Sequence, residues 1–325
     1  LGHLWSYGQS PPGERLHRTG LMQPPVLAQA VERVAEITGD PSFPPGMMAA
    51  LDAYHSWLAT TRAPDPDGLL VIVSPYESGT DQTPTYDKIL GLPHRPNRWS
   101  VNWKNRRLDW RNWLEGYDSE KMLRKASFYV KDALVNAIYA DALSSMARMH
   151  RRQGNNQVAN GYALLATRVV ESLLSKMFDR SRGAFFSLLG KRELRAEPLT
   201  IASLMPILAE NMPSDAVAEV VTRRLTNSQE FWLTCPVPTV AANKPSFDAR
   251  GESLISRGPT WVNTNWLLWR GLRRHGHDDL AAELAARTIS MVAKSGLREF
   301  YNPHTGDGLG ARDFSWSALA LDMAS

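Results

Sequence analysis

Apolar side chains recur along most of this chain at the spacing of one helix face. Between Val130 and Met149 they fall at Val130, Leu134, Ile138, Leu143, Met146 and Met149; in the next stretch they fall at Val158, Tyr162, Leu165, Val169, Leu173 and Met177. Each set makes a single stripe, so two amphipathic helices are predicted. Gly154, Asn155 and Asn156 leave room only for a short connection, which makes the pair an antiparallel hairpin. Further helices are predicted to start at Pro24-Pro25, where proline suits a first turn, at the cap pair Ser214-Asp215, and at Asp278-Asp279 in a segment that Gly296 closes. Strand signal is scarce: LLVIV, Leu69 to Val73, is the one short β-like run. The pattern predicts a mainly α fold.

Two segments that follow helices share a layout, FDRSRGAFF at 178–186 and YNPHTGDGL at 301–309. Each has an aromatic, then Asp or Asn, then a turn closing on glycine, which hints at repeated helix pairs with their turns at one end. No linker divides the chain. Pro236 to Gly251, rich in Pro, Ala and Asn, reads as one long loop, and long loops in compact helical domains tend to carry sites.

Composition narrows the classes. The 325 residues are 43% hydrophobic and 22% charged, enough to fill one large core or two modest ones, which excludes disorder. Lys and Arg number 37 against 33 Asp and Glu, scattered apart from short clusters such as Arg151-Arg152 and Arg273-Arg274. That is a solvated surface, so no nucleic-acid partner is expected. No apolar run approaches the ~18 residues of a bilayer span and no signal peptide stands out, so no membrane partner is expected either. The single cysteine, Cys235, excludes an internal disulfide framework and makes a reducing, cytoplasmic location the default. The chain begins LGHLWSYGQS, with no methionine and no helix-start signal, so upstream residues are expected to be missing. Oligomeric state is not legible.

Metal and nucleophile chemistry fail quickly. Eight histidines form no HExxH or His/Cys cluster, and there is neither a P-loop nor a GxGxxG, so no metal and no organic cofactor are expected. His55, inside a helical pattern from Met47 to Leu58, reads as a packed or surface histidine. What remains is carboxylates beside aromatics. Eleven tryptophans are present, among them Trp99, Trp103, Trp110, Trp113, Trp261, Trp266, Trp269 and Trp316. Any one of them can fill a helical core; as a group near turns they lean towards stacking on sugars. Glycoside hydrolysis needs two carboxyl groups flanking the scissile bond, one protonated to help the leaving oxygen depart and one ionised. The loop YESGTDQTP, Tyr76 to Pro84, supplies Glu77 and Asp81, and REFYNPHTGDGLG supplies Glu299 and Asp307. On composition alone each is an ordinary loop carboxylate.

Three longer runs change that weighting. VIVSPYESGTDQTPTYD, RGPTWVNTNWLLWRGLRRHG and GLREFYNPHTGDGLGARDFSWSAL, in this order and at these separations, resemble the bacterial branch of glycoside hydrolase family 63, which includes the mannosylglycerate and glucosylglycerate hydrolases. LMQPPVLAQAV and FYVKDALVNAI fit as well, so the resemblance covers nearly the whole chain. It implies an (α/α)6 toroid, six helix hairpins around a central pocket, and inverting hydrolysis of a small α-glucoside or α-mannoside. It also implies that Asp81 is the general acid and Glu299 the general base, with Glu77 holding sugar hydroxyls or fixing the loop. Gln23, Tyr76, Arg257, Trp261, Asn265 and Trp316 match family positions near the pocket and are expected to bind substrate; for Arg257 the competing reading is a buried ion pair that holds its loop to a helix. Asp307 reads as a turn cap.

The match breaks down in places. Ile255 and Ser256 stand where the family usually has an aromatic pair before RGP, and Ser74 stands where a histidine often precedes the acid loop, so the leaving group is not fixed by the resemblance. No counterpart of the family's N-terminal Trp-Asp motif occurs before Gln23, and the helical segments fall short of six hairpins. The expectation is one catalytic domain over residues 1–325, an all-α (α/α)6 toroid truncated at its N-terminus, acting on a small carbohydrate. The alternatives are a sugar-binding toroid without hydrolysis, disfavoured by retention of both carboxylates, and an epimerase or lyase, disfavoured by the lack of paired histidines.

Overall fold

Asp132 ends an extended segment and starts the longest helix among the described residues. Its Oδ1 accepts the backbone N–H groups of Leu134 (2.9 Å) and Val135 (3.1 Å), so the helix runs Ala133–Arg152. Val130 and Lys131, which the periodicity placed on that helix, form a strand instead. The computed structural model describes residues 21–40, 42–93, 95–252 and 254–324; the reading of the chain's first residues lies outside them.

In chain order the helices are α1 (Leu27–Thr38), α2 (Phe43–Trp57), α3 (Asp87–Leu90), α4 (Arg98–Leu114), α5 (Ser119–Lys125), α6 (Ala133–Arg152), α7 (Asn156–Ser172), α8 (Ser214–Val220), α9 (Val262–Arg274), α10 (Asp278–Ser295) and α11 (Leu319–Asp322). The strands are β1 (Val130–Lys131), β2 (Phe178–Asp179), β3 (Ala184–Phe185), β4 (Leu188–Leu189), β5 (Leu194–Arg195), β6 (Arg298–Tyr301) and β7 (Gly308–Arg312). Helices α1 and α2, α6 and α7, and α9 and α10 pack as successive pairs. Across the pairs, α1 lies against α6, α6 against the 3-10 segment Met205–Leu208, and that segment against α9. Almost every residue of α6 is buried, whereas α7 buries one side only, which makes α6 an inner helix and α7 its outer partner. The predicted stripe on α6 is wholly buried; along α7 and the π-helical turn that continues it, Leu173–Met177, it holds from Val169 onward, while Val158 at its start is exposed. The predicted starts near Pro25, at Ser214 and at Asp278 all hold, although Ser214 makes no side-chain cap.

LLVIV is not a strand. Its five residues cross the core with at most 1% exposure, and only Ile72 forms a β-bridge, to Val130. Side chains replace the missing ladder, because buried backbone groups need partners. Asn136 clasps Leu70, its Oδ1 accepting from the backbone N–H at 2.7 Å and its Nδ2 donating to the carbonyl at 3.0 Å. Arg62 does the same for Val71, accepting its N–H on the main-chain oxygen and donating Nη2 to its carbonyl, both at 2.7 Å. Val73 donates its N–H to Glu77 Oε2 at 2.6 Å and accepts from Asn112 Nδ2 at 3.3 Å. The segment is thereby a rigid stem for the loop that follows.

The all-α expectation also needs correcting at the helix ends, where three small antiparallel sheets form: β1-β4-β5, β2-β3 and β6-β7. Both segments with the shared layout are hairpins, 178–185 closing β2-β3 and 301–308 closing β6-β7, each following a helix. Pro236–Gly251 lacks helix and is pinned by bridges from Pro238 to Thr260 and from Val240 to Thr200. His55 is packed, as read, with Nδ1 2.8 Å from the Leu51 carbonyl oxygen. Among the described residues no helix is long and apolar enough to cross a membrane.

Candidate active site

The stem ends at Ser74, whose Oγ accepts the Tyr76 N–H and starts a 3-10 turn, Pro75–Glu77. Glu77 then turns inward. Oε1 accepts from the Met22 N–H (2.8 Å) and Arg62 Nη1 (2.7 Å), and Oε2 accepts from the Val73 N–H (2.6 Å) and Arg62 Nη2 (2.7 Å). Both carboxylate oxygens are thus occupied in the dry interior. Of the two roles expected for Glu77, the structure gives it the fixing of the loop; a sugar hydroxyl has no access to it. Gly79, at φ +72, carries the chain past Pro24, where a Cβ would approach to 3.3 Å. Thr83 N–H then bonds the Thr80 carbonyl at 2.9 Å, placing Asp81 and Gln82 at the two corners of a tight turn, with Asp81 only partly buried.

Tyr76 stands beside Asp81. Burial pushes its hydroxyl pKa up, and the nearby carboxylates of Asp81 and Asp109 push in the same direction, so it remains a neutral hydrogen-bonding group. Asn105 of α4 contacts that hydroxyl. Gln23 is exposed and donates Nε2 to the Tyr76 carbonyl at 3.3 Å, so it sits on the rim of the same loop.

Glu299 comes from the β6-β7 hairpin. The ladder pairs Arg298 with Arg312 and Phe300 with Leu309, and the register shifts between Arg298 and Phe300. The extra residue lies on β7, where Gly310 and Ala311 stand opposite Glu299, and a bulge re-aims the side chains beside it. Its Oε2 accepts the Ala311 N–H at 3.0 Å, lying over Gly310. A Cβ on Gly310 would fall 2.5 Å from that oxygen, so only glycine leaves room there. Trp316 donates Nε1 to the Glu299 carbonyl at 3.3 Å and so anchors that residue's backbone.

A third loop joins the two segments. Arg257, almost fully buried, donates Nε to the Gln82 carbonyl (2.9 Å) and both Nη atoms to Asp87 of α3 (2.9 and 2.6 Å). Gln82 Oε1 accepts the Ile255 N–H at 2.9 Å, and Ile255 returns its carbonyl to Trp261 Nε1 at 3.2 Å. Trp261 in turn stacks on Phe300 (centroids 5.1 Å, 29°) and meets Trp316 edge-on at 5.3 Å. A continuous path therefore runs Asp81, Gln82, Ile255, Trp261, Trp316, Glu299. The side chain at 255, which departs from the family pattern, takes no part; its backbone does.

Two expected substrate contacts are corrected by this geometry. Arg257 is the loop clamp of its competing reading, with its donors committed to Gln82 and Asp87. Asn265 is fully buried in α9, where Oδ1 accepts the Val237 N–H (3.0 Å) and Nδ2 donates to the Pro236 carbonyl (2.6 Å) and Thr288 Oγ1 (2.9 Å), so it fastens the 236–251 loop. Gln23, Tyr76, Asp81, Trp261, Glu299 and Trp316 are brought to the three loops. Asp307 braces its turn, its Oδ2 accepting from Thr305 Oγ1 at 2.7 Å and its Oδ1 pairing with Lys294 at 3.0 Å. Sequence reasoning missed Gln82, Asp87 and Arg62. Gln82 lies inside the quoted loop and could have been singled out as the residue beside Asp81; nothing in the sequence connects Arg62 to Glu77.

Away from the site, Asp65, Asp67 and Glu193 converge as three carboxylates would around a cation. The ammonium groups of Lys131 and Lys176 occupy that position, with Lys131 2.7 Å from both Asp65 and Asp67. A cavity of about 490 Å³ lies at the opposite end of α9, walled by ion-paired side chains of α1, α6 and α9, including Arg33, Arg148 and Arg270. It takes no part in the three-loop site.

Known glycoside hydrolases are similar to this chain over most of its length. A family model described as the mannosylglycerate hydrolase MGH1-like glycoside hydrolase domain matches residues 5–317. The chain is 30% identical to a mannosylglycerate hydrolase of Rubrobacter radiotolerans, over 98% of this chain and 78% of the relative. It is 27% identical to a glucosylglycerate hydrolase of Mycolicibacterium hassiacum, over 93% of this chain and 74% of the relative. Among solved structures, a GH63 mannosylglycerate hydrolase from Thermus thermophilus, in complex with Tris and D-glycerate, superposes with a TM-score of 0.83 at 28% identity, covering 98% of this chain and 81% of that one.

Proposed function

This chain belongs to the MGH1-like glycoside hydrolase family, within glycoside hydrolase family 63, and from that premise we propose that it hydrolyses a small α-mannoside or α-glucoside with inversion of configuration, Asp81 acting as general acid and Glu299 as general base. That it is a glycosidase follows from the family; substrate, stereochemistry and residue roles are the proposal. Mannosylglycerate and glucosylglycerate are the first substrates to try, being named in the relatives' own descriptions. The same reading takes the paired helices as part of an (α/α)6 toroid whose loops surround the site.

The observation that carries the reading is the path of contacts from Asp81 through Gln82, Ile255, Trp261 and Trp316 to Glu299. It ties the two segments that carry Asp81 and Glu299, 218 positions apart in sequence (299 minus 81), to one aromatic centre. An inverting site requires its carboxyls about 6.5–9.5 Å apart so that a water fits between sugar and base. Asp81 then gives its proton to the glycosidic oxygen as the bond from that oxygen to the anomeric carbon breaks. Glu299 takes a proton from the water that attacks the opposite face, and the product leaves as the β-anomer. In this reading Tyr76, kept neutral, hydrogen-bonds the acid or the leaving oxygen, while Trp261 and Trp316 supply aromatic surface.

Proton NMR of the protein with mannosylglycerate, glucosylglycerate and α-glucobioses tests this. Initial appearance of the β-anomer from an α-glycoside, lost in Asp81→Asn, supports the reading. Initial α-anomer would exclude inversion, and spectral shifts without hydrolysis would favour a sugar-binding protein instead.

A further inference from the structure

Four tryptophans expected near sugar-binding turns lie instead on the outer face of one helix. Along α4, Trp99, Trp103, Trp110, Trp113 and Leu114 are each more than half exposed, Trp99 at 73%. At the helical repeat they fall within about 100° of arc. The opposite face of α4, Val101, Asn105, Leu108 and Asn112, is the one buried against the acid loop and its stem. The stripe therefore points away from the active-site loops. Trp99 and Trp103 present parallel rings, 2° apart in plane with centroids 6.0 Å apart.

Charge says what the stripe fits. Arg98, Lys104, Arg106, Arg107 and Arg111 belong to the same helix, and among the described residues none of them is ion-paired. Asp109, the one acid in α4, accepts the Tyr117 hydroxyl at 2.8 Å. A second copy of the chain is a poor occupant. In an antiparallel two-fold contact the same flank meets itself, and here Lys104, Arg107 and Arg111 share one flank. The partner must carry negative charge and accept indoles along a convex line with no groove.

We propose that α4 docks the protein on an anionic lipid surface, lying in the plane of the headgroups with its indoles at the interface and its arginines on lipid phosphates. Trp and basic side chains are the pair of residue types that settle at a bilayer interface. The chain would lie on the membrane without spanning it, which departs from the expectation of no membrane partner, drawn only from the lack of a spanning run.

Co-sedimentation with vesicles of phosphatidylcholine, with and without phosphatidylglycerol, at low and physiological salt, tests this together with tryptophan fluorescence. Binding confined to the anionic vesicles, weakened by salt and accompanied by a blue shift, is expected. Changing Arg98, Arg106, Arg107 and Arg111 together to Gln lowers the apparent affinity at least about tenfold. Changing Trp99, Trp103 and Trp110 together to Ser removes binding and blue shift alike, with circular dichroism unchanged. No binding at low salt, equal binding to neutral vesicles, or an undiminished tryptophan variant each overturns the proposal. Tryptophan-dependent capture of a soluble glycan or acidic protein, without vesicle binding, overturns it as well and assigns the stripe to that partner. Hydrolysis is not involved in the readout, so the outcome is independent of the catalytic assignment.

Discussion

Arg62 and Glu77 meet beneath the 76–84 loop with neither side chain exposed, joined by two N–O contacts of 2.7 Å. The pair faces no sugar. It sets the base from which Ser78, Gly79 and Thr80 lead to Asp81, and Glu77 also binds two main-chain N–H groups that no other side chain reaches. Replacing Glu77 with Gln strands the Arg62 charge in the interior, and breaking a buried pair in this way costs about 3–5 kcal/mol. Urea denaturation should show a loss of that size. A substrate-binding Glu77 would behave differently: stability would be unchanged and KM would rise.

Gly310 offers a second test, at Glu299. A methyl there lies 2.5 Å from Glu299 Oε2 and 2.7 Å from the Phe300 ring, at a backbone φ of +64 that favours glycine. Gly310→Ala should displace the Glu299 carboxylate and lower kcat about a hundredfold, the scale expected of a displacement of about 1 Å at a reacting group. Gly190→Ala is the control, with a similar φ of +68 and nothing within 4 Å. It should cost stability alone, measured by the same unfolding curve, with kcat intact.

The contrast between these two positions shows what the sequence could and could not tell. The helix period at Leu134, Ile138 and Leu143 and the motif around Asp81 were legible, because periodicity and turn chemistry are local. The roles of Glu77, Arg257 and Asn265 were not, since a carboxylate, guanidinium or amide looks the same in sequence whether it faces a sugar or the interior. Long-range partners decide: Arg62 for Glu77, Asp87 for Arg257, and the Pro236 and Val237 backbone for Asn265. LLVIV misled for the same reason. Its apolar run reads as a strand, but Asn136, Arg62 and Glu77 from elsewhere in the chain supply the bonds that a neighbouring strand would have given. Glu299 was singled out by motif, while the β7 bulge opposite it had no signal beyond Gly308 and Gly310.

Acid should unfold the protein partly through the Lys131 cluster. Burial alone would raise the pKa values of Asp65, Asp67 and Glu193, yet the ammonium groups of Lys131 and Lys176 outweigh it and hold all three below their ordinary values. The folded state then binds fewer protons than the unfolded one just below the ordinary carboxylate range. The stabilisation is complete above about pH 4–4.5 and fades as pH falls through the lowered folded values. In urea titrations Lys131→Met should be destabilised most at neutral pH, and its deficit relative to wild type should shrink below about pH 4. A deficit constant with pH would show that Lys131 acts by packing alone.

The division of labour between Asp81 and Glu299 can be separated by the leaving group. Departure of an alkoxide needs a proton, so Asp81→Asn should lower kcat on a glycosylglycerate by about 10²–10⁴. Fluoride leaves without protonation, and the same variant should hydrolyse the matching α-glycosyl fluoride at a rate close to wild type. Glu299→Gln removes the group that takes the proton from the attacking water, a step every leaving group shares, so it should be slow on both substrates. The assignment depends on this asymmetry. If Asp81→Asn were equally slow on the fluoride while Glu299→Gln recovered, the roles would be exchanged. If both variants retained activity on the glycosylglycerate, the catalytic carboxyls would lie elsewhere around the Trp261 centre.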